Sequence, residues 1–344
     1  MKLYMVKQDK LRVDRKTKDV VMRMLTGKQI EETILGLAVG DALGVPVEGH
    51  GRADLAERPV RDMLGYGTHS QPPGTWSDDT SLTLATMESI GRTDTVDFDS
   101  LMQNFCHWAL EGAYTPAGHA FGIGSTTDAA LHHYRQRTPA LQAGGIAEQN
   151  NGNGSLVRMV PIALYIYAHH GTSFPSSDLS LIHNVSALTH RHARAKMACT
   201  FFVLVALQLL DGATPMTAVR EAGQRFRDIY WQRSGYEHER WQFERLLDVQ
   251  AFRDLPEADI HSSGYVIDTL ETACWCLLRA ENYRACVLTA VNLGGKTASS
   301  GAMAGALAAI QYGYDAIPQP WLAALVRREY IEDMCEAFGR NLTR

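Results

Sequence analysis

The chain has 344 residues, 45% of them hydrophobic and 21% charged, with a formal net charge of −5; that is an ordinary globular composition, enough for one sizeable domain or two small ones. No apolar run approaches the roughly 20 residues of a membrane-crossing helix, so no membrane partner is expected. The six cysteines (Cys106, Cys199, Cys274, Cys276, Cys286 and Cys335) lack zinc-type CxxC pairs and read as reduced core thiols of a cytoplasmic protein.

Residues 1–28 carry nine Lys or Arg against three Asp, a net of +6, which leaves −11 for residues 29–344. This basic arm has no secretory h-region and no interleaved aromatics beyond Tyr4, so neither export by that route nor nucleic acid is expected. A solvated tail and a segment that docks on a protein partner stay open. From Gln29 the pattern turns helical, with Ile30, Ile34, Leu37 and Ala38 on one face and the core starting near Ile30. Gly36 and Gly40 permit close helix packing. The run GLAVGDALGVPVE then ends the helix, with Asp41 just before the Gly44-Val45-Pro46 turn and Glu48 just after it. Asp41, alone near a helix end, is expected at the surface.

Residues 74–89, GTWSDDTSLTLATMES, place Ser77 as an N-cap and Asp78 and Asp79 in a first turn, where the helix dipole favours negative charge. Two readings stand side by side: a well-capped helix, and a site for a hard divalent cation. Further helices are expected at 97–112, 126–137, 155–170, 178–188, 194–211, 215–232 and 238–250. The loops opening 118–134 and 150–170 share a design in which small residues run into a helix, which presents backbone N–H groups to an anion. The C-terminal third reads as helices at 265–279, 283–291, 300–312 and 320–338. Runs of alternating β-branched residues are few, so the fold is expected to be all-α, a single multi-helix domain behind the arm. Within 293–313, Gly301, Gly305 and Ala308 form a small-residue ridge for a neighbouring helix.

Taken together, ILGLAVGDALGVPVE, GTWSDDTSLTLA, FGIGSTTDAAL, GNGSLVRMVPIAL, the Thr189-His190 pair and NLGGKTASSGAMAGALAAIQYG resemble the ADP-ribosylglycohydrolases over about residues 29–319. The resemblance implies an all-α domain with a cleft for ADP-ribose and Mg²⁺ at its base. It implies Ser77, Asp78, Asp79 and Ser299 as metal ligands, with Glu48, Asp78 and Asp79 as the catalytic carboxylates. Gly152, Asn153, Gly154, Ser155, His190, Gly294 and Gly295 would contact the substrate, an ADP-ribosylated protein side chain (arginine first) or ADP-ribose itself.

One motif departs from the family. Where its members usually read Gly-Gly-Asp-x-Asp-Thr, with both aspartates on metal, this chain has Gly294, Gly295, Lys296, Thr297, Ala298 and Ser299. An ammonium at 296 could replace one of two Mg²⁺ ions electrostatically but cannot orient a metal-bound water, so weakened hydrolysis is expected. The arm is a second departure. It is similar in outline to extensions of family members that act as immunity proteins and block an ADP-ribosyltransferase toxin, which keeps such a toxin as an alternative partner of residues 1–28. An inert ADP-ribose-binding regulator is the third reading.

Overall fold

Twelve helices of ten or more residues build the part of the chain that the computed structural model describes, residues 24–93 and 96–342. In chain order they are α1 (Gly27–Gly44), α2 (Asp78–Thr93), α3 (Phe98–Glu111), α4 (Ser125–Arg135), α5 (Val160–His170), α6 (Ser176–Ala187), α7 (Ala193–Leu210), α8 (Pro215–Tyr230), α9 (Val266–Arg279), α10 (Tyr283–Asn292), α11 (Thr297–Tyr312) and α12 (Arg328–Leu342). Among the described residues there is no strand, only isolated bridges between Gly145 and His190 and between Gly152 and Tyr265. The all-α expectation holds.

The start of α1 is set by a capping box. The Gln29 amide donates to Thr26 Oγ1 at 3.2 Å, and the Thr26 amide donates back to Gln29 Oε1 at 3.0 Å. The helix therefore begins two residues before the periodicity suggested, and the core begins earlier than Ile30, since Leu25 is already buried. Residues 1–23 of the basic arm lie outside the described residues. Lys28, at the start of α1, pairs with Asp315 at 3.4 Å, an exposed contact of little energetic weight.

α1 and α11 run antiparallel in backbone contact. A Cβ on Gly40 would overlap the Gly301 carbonyl oxygen, one on Gly36 would overlap Ala309, and one on Gly44 would overlap the Thr297 carbonyl. Glycines every four residues on α1 thus form one smooth stripe, and Gly301 and Gly305 on α11 meet it. This approach puts Asp41, in the last turn of α1, and Glu48, just past the 3₁₀ turn that follows it, beside the first turn of α11. The small-residue ridge is packing, as its spacing suggested.

Three helix expectations are corrected. The 155–170 helix starts only at Val160, because Pro161 fits a first turn and residues Asn153–Ser155 form a 3₁₀ turn. The 238–250 segment is a 3₁₀ stretch (Glu237–Phe243) followed by two short helices. The 320–338 helix is split into Gln319–Ala324 and α12. At the break the Val326 amide donates to Gly74 O at 3.0 Å, Trp76 Nε1 donates to Val326 O at 2.8 Å, and Arg327 takes a φ of 52°. The interruption anchors the segment leading into α2, a long-range demand invisible to periodicity.

The composition reading also overlooked α7, whose 18 residues have a mean hydropathy of 1.6, long and apolar enough to cross a membrane. Here 83% of that stretch is buried within the protein, where it acts as a core helix packed on α5, α6 and α8. All six cysteines are free and buried.

His183 of α6 is held by Tyr230 Oη at 2.7 Å and Tyr236 Oη at 3.3 Å. Burial, helped by Lys196 and Arg233, pushes its pKa down to about 3 from 6.5. A lowered folded pKa means the unfolded chain takes the proton first, so the stability contribution is present above 6.5 and lost as pH falls toward 3. Urea midpoints should fall from pH 7 to 5.5 by the equivalent of about 1.2 kcal/mol from this residue. His183→Gln, which keeps a polar partner for Tyr230 but does not titrate, should be measurably flatter; equal slopes would exclude the assignment.

Candidate functional site

Asp41, expected at the surface, is fully buried. Its Oδ2 accepts from the Ser77 amide at 2.9 Å, the Thr80 amide at 3.1 Å and Thr80 Oγ1 at 2.6 Å. Asp41 on α1 therefore caps α2 from outside, a role local sequence cannot reveal because its partners lie 36 and 39 residues away. Ser77 adds the weaker local cap, accepting from the Asp79 amide at 3.3 Å. Two helix starts are locked together, and Asp78 and Asp79 are turned toward the end of α1.

The carboxylates there are crowded. Burial, then the fields of Asp41 and Glu48, raise the Asp78 pKa to about 7 despite the opposing pull of Lys296. Asp79 is raised well above its ordinary value by burial first, then by Asp78 and Asp41, against the pull of Lys296 and a hydrogen bond from Ser299. Three oxygens in this cluster, Asp41 Oδ1, Asp79 Oδ2 and Ser299 Oγ, are buried without a well-formed hydrogen bond. Such atoms favour a cation or a trapped water.

Lys296 occupies the middle of the cluster. Its Nζ is ion-paired with Glu48 Oε1. Burial alone would lower its pKa, but Glu48, Asp78 and Asp79 together raise it above the ordinary lysine value. The other Glu48 oxygen lies 3.4 Å from His69 Nε2, without hydrogen-bond geometry, and His69 meets Phe121 ring to ring at 5.2 Å with the planes tilted by 44°. Gly122 completes this wall: a Cβ there would stand 2.9 Å from Asp78 Oδ1.

Lys296 is delivered by a turn that only glycine suits. Gly294 and Gly295 have φ of 79° and 69°, and their amides donate to Val291 O at 3.1 Å and His50 O at 2.8 Å. Both N–H groups are spent inside the protein, so these glycines shape the turn and do not offer donors to a phosphate.

The glycine loop joins the same region through residues 262–265. Lys296 donates its amide to Ser262 O at 2.7 Å, and the Asn153 amide donates to Gly264 O at 3.0 Å. Thr83 Oγ1 on α2 donates to Val157 O at 3.1 Å. Gly152, Gly154 and His190 come together, with His190 Nε2 3.4 Å from where a Gly152 Cβ would be. Two expected contacts turn inward instead. Asn153 Nδ2 donates to Thr269 Oγ1 at 3.0 Å, and Ser155 Oγ lies in the core, 3.1 Å from Ser186 Oγ and 3.5 Å from Cys199 Sγ. They brace the loop. Asp41, Thr80, His69 and Arg158 are the residues that sequence reading did not assign to the site; an Asp within an otherwise apolar helix was the one available signal.

These elements carry the fingerprint of a single family, whose profile, described as ADP-ribosylglycohydrolase, matches residues 24–343. The chain belongs to the ADP-ribosylglycohydrolase family. It is similar to ADP-ribosylarginine hydrolase Tri1 of Serratia proteamaculans (strain 568), with 31% identity over 305 residues, covering 88% of this chain and 76% of the relative. It is also similar to the ADP-ribosyl-[dinitrogen reductase] glycohydrolase of Rhodospirillum rubrum, with 27% identity over 307 residues, covering 88% of this chain and 92% of that one. A solved structure titled ADP-ribosylglycohydrolase-related protein complex superposes with a TM-score of 0.74 at 30% identity, covering 92% of this chain and 99% of that one. As an ADP-ribosylglycohydrolase-family chain, it holds an ammonium among its clustered carboxylates.

Proposed function

We propose that this protein recognises an ADP-ribosyl group on a protein side chain, arginine first, and hydrolyses the ribosyl bond weakly because Lys296 takes the place of a bound cation. The observation that carries the reading is the Lys296–Glu48 ion pair among Asp78 and Asp79. The substrate class is supported by the relatives named for ADP-ribosylarginine and dinitrogen reductase.

One Mg²⁺ fits the residues present and a second does not. Ser77, Asp78, Asp79 and Ser299 would hold the first, a set of hard oxygens that includes two buried atoms lacking good hydrogen bonds. Among the described residues no three His, Cys, Asp or Glu side chains form a metal-holding group, so the first ion would rest on serine oxygens as well as the two carboxylates, and a second would find its space already neutralised by the Lys296 ammonium. Bound there, the ion would anchor ribose hydroxyls and polarise them. Glu48 is the chain's own group for the ribosyl carbon, where an oxocarbenium-like state needs a nearby negative charge or a proton acceptor. Its charge is offset by Lys296 before any substrate arrives, which lowers the stabilisation it can offer. Binding depends on the glycine loop and His190, so it should survive better than catalysis.

Calorimetric titration should find ADP-ribose binding together with slow Mg²⁺-dependent release of ADP-ribose from modified arginine. Turnover at a rate like that of the named hydrolases, abolished by Asp78→Ala, would overturn the weakened-hydrolase reading; no binding at millimolar ADP-ribose would overturn recognition itself. A second reading rests on the charge asymmetry of +6 on residues 1–28 against −11 on the rest. In it the protein neutralises an ADP-ribosyltransferase through that arm. Running the assay on a chain lacking residues 1–23 separates the two, since ADP-ribose binding should persist while inhibition of a partner transferase is lost; inhibition that persists rules out the arm.

A further inference from the structure

Arg158, three residues past the glycine loop's Ser155, is fully buried, yet no carboxylate pairs with it among the described residues. Its guanidinium donates to Gly154 O, to Val185 O at 3.1 Å and to Thr189 Oγ1 at 2.8 Å, and it packs 5.0 Å over the Phe105 ring. Nε has no partner. Burying a cation without a counter-charge is costly, and burial pulls the Arg158 pKa down to about 10. A long apolar side chain would fill the space more cheaply, so the charge and its donors have a use.

The use follows from counting protons. Thr189 Oγ1 is buried, accepts from Arg158, and lies 2.7 Å from His190 Nδ1. A hydroxyl has one proton to give, and among the described residues His190 Nδ1 is the acceptor within its reach. The arrangement that spends this proton leaves Nδ1 unprotonated; with Nδ1–H donating instead, the hydroxyl would accept twice and its own proton would go unused. A doubly protonated ring would set an imidazolium beside the guanidinium, and burial together with Arg158 drives the His190 pKa down to about 3. What remains is a neutral ring with its proton on Nε2. That edge faces the loop: a Cβ on Gly152 would lie 3.4 Å from Nε2, and one on Gly154 would lie 3.0 Å from Cε1. The backbone holds the ring there, with His190 N donating to Ser186 O at 2.8 Å and Gly145 N donating to Thr189 O at 3.0 Å.

We infer that Arg158 is a positioning residue that acts through Thr189 to fix His190 as an Nε2–H donor aimed across the glycine loop at a phosphate oxygen of the ligand. The ligand part of this inference rests on the ADP-ribose reading; the tautomer does not. Arg158 also turns the Gly154 carbonyl down into the core, away from that oxygen. The result is a site that recognises an anion with a neutral donor backed by a buried positive charge, without a cationic side chain at the surface of the loop.

Nitrogen-15 NMR of imidazole in the ligand-free, full-length protein tests the tautomer. His190 should show the Nε2–H pattern at pH 7, which Thr189→Ser keeps and the isosteric Thr189→Val loses. Titration with ADP-ribose should show roughly tenfold weaker binding for Thr189→Val, about 1.4 kcal/mol, with Thr189→Ser close to wild type. A structural role alone would leave the tautomer untouched. An Nδ1–H pattern in the wild-type protein, or a folded Thr189→Val protein that retains both the Nε2–H pattern and wild-type affinity, overturns the inference. A wild-type protein with the Nε2–H pattern and no ADP-ribose binding supports the positioning of His190 and overturns the ligand reading instead.

Discussion

Lys296→Asp combined with Ala298→Asp is expected to raise Mg²⁺ affinity about a hundredfold, equivalent to about 2.7 kcal/mol. The double change removes an ammonium and adds two carboxylates to a cluster that already holds Glu48, Asp78 and Asp79. Without the ion the variant should be less stable than wild type, because carboxylates that are already disfavoured by burial gain like-charged neighbours. Added Mg²⁺ should then restore the melting temperature by mass action, an effect small in the wild-type protein. Calorimetric titration and a melting series against Mg²⁺ concentration read both effects. If neither affinity nor Mg²⁺-dependent stability increases, Lys296 is not standing in for a cation and the proposed function loses its main support.

Gly40→Ala should cost about 3 kcal/mol, the upper end for overpacking, out of a total stability on the order of 5–15 kcal/mol. The added Cβ would overlap the Gly301 carbonyl, and backbone in the middle of a helix cannot rotate away. α1 and α11 would have to separate, which also pulls Asp41 away from Ser77 and Thr80 and shifts Lys296 relative to Glu48. Activity or ligand affinity should therefore fall along with the urea midpoint. Gly27→Ala is the control, since a Cβ there meets nothing within 4 Å, and it should stay within about 0.5 kcal/mol of wild type. A Gly40→Ala midpoint equally close to wild type would mean the two helices are not in the contact described.

The contrast between these two glycines shows where local reading stops. Spacing identified Gly36, Gly40, Gly301 and Gly305 as small residues on helices, but the pairing of one stripe with the other belongs to the tertiary structure. The same holds for Lys296. Its sequence position marks the loss of a carboxylate, whereas its partner Glu48 is 248 residues away and reaches it only because α1 and α11 lie in backbone contact.

What the sequence by itself determined is the material that acts through neighbours along the chain. Helical periodicity, the Thr26–Gln29 capping box, proline and glycine punctuation, and the motif set that marks the family are all encoded within a few residues, because a helix is built from contacts three and four apart. Glu48, Ser77, Asp78, Asp79, Gly152, Gly154 and His190 entered as expectations from that motif set. Only the tertiary structure decided which polar groups face one another and which are consumed. It buried Asp41 as a cap on a distant helix and spent the Gly294 and Gly295 amides on Val291 and His50. It also turned Asn153 and Ser155 into the core, broke the last helix at Val326 to anchor Trp76, and placed an unpaired Arg158 under the loop. The physical reason is that hydrogen bonding and desolvation are accounted for in three dimensions, so a polar residue's role depends on partners far away in sequence.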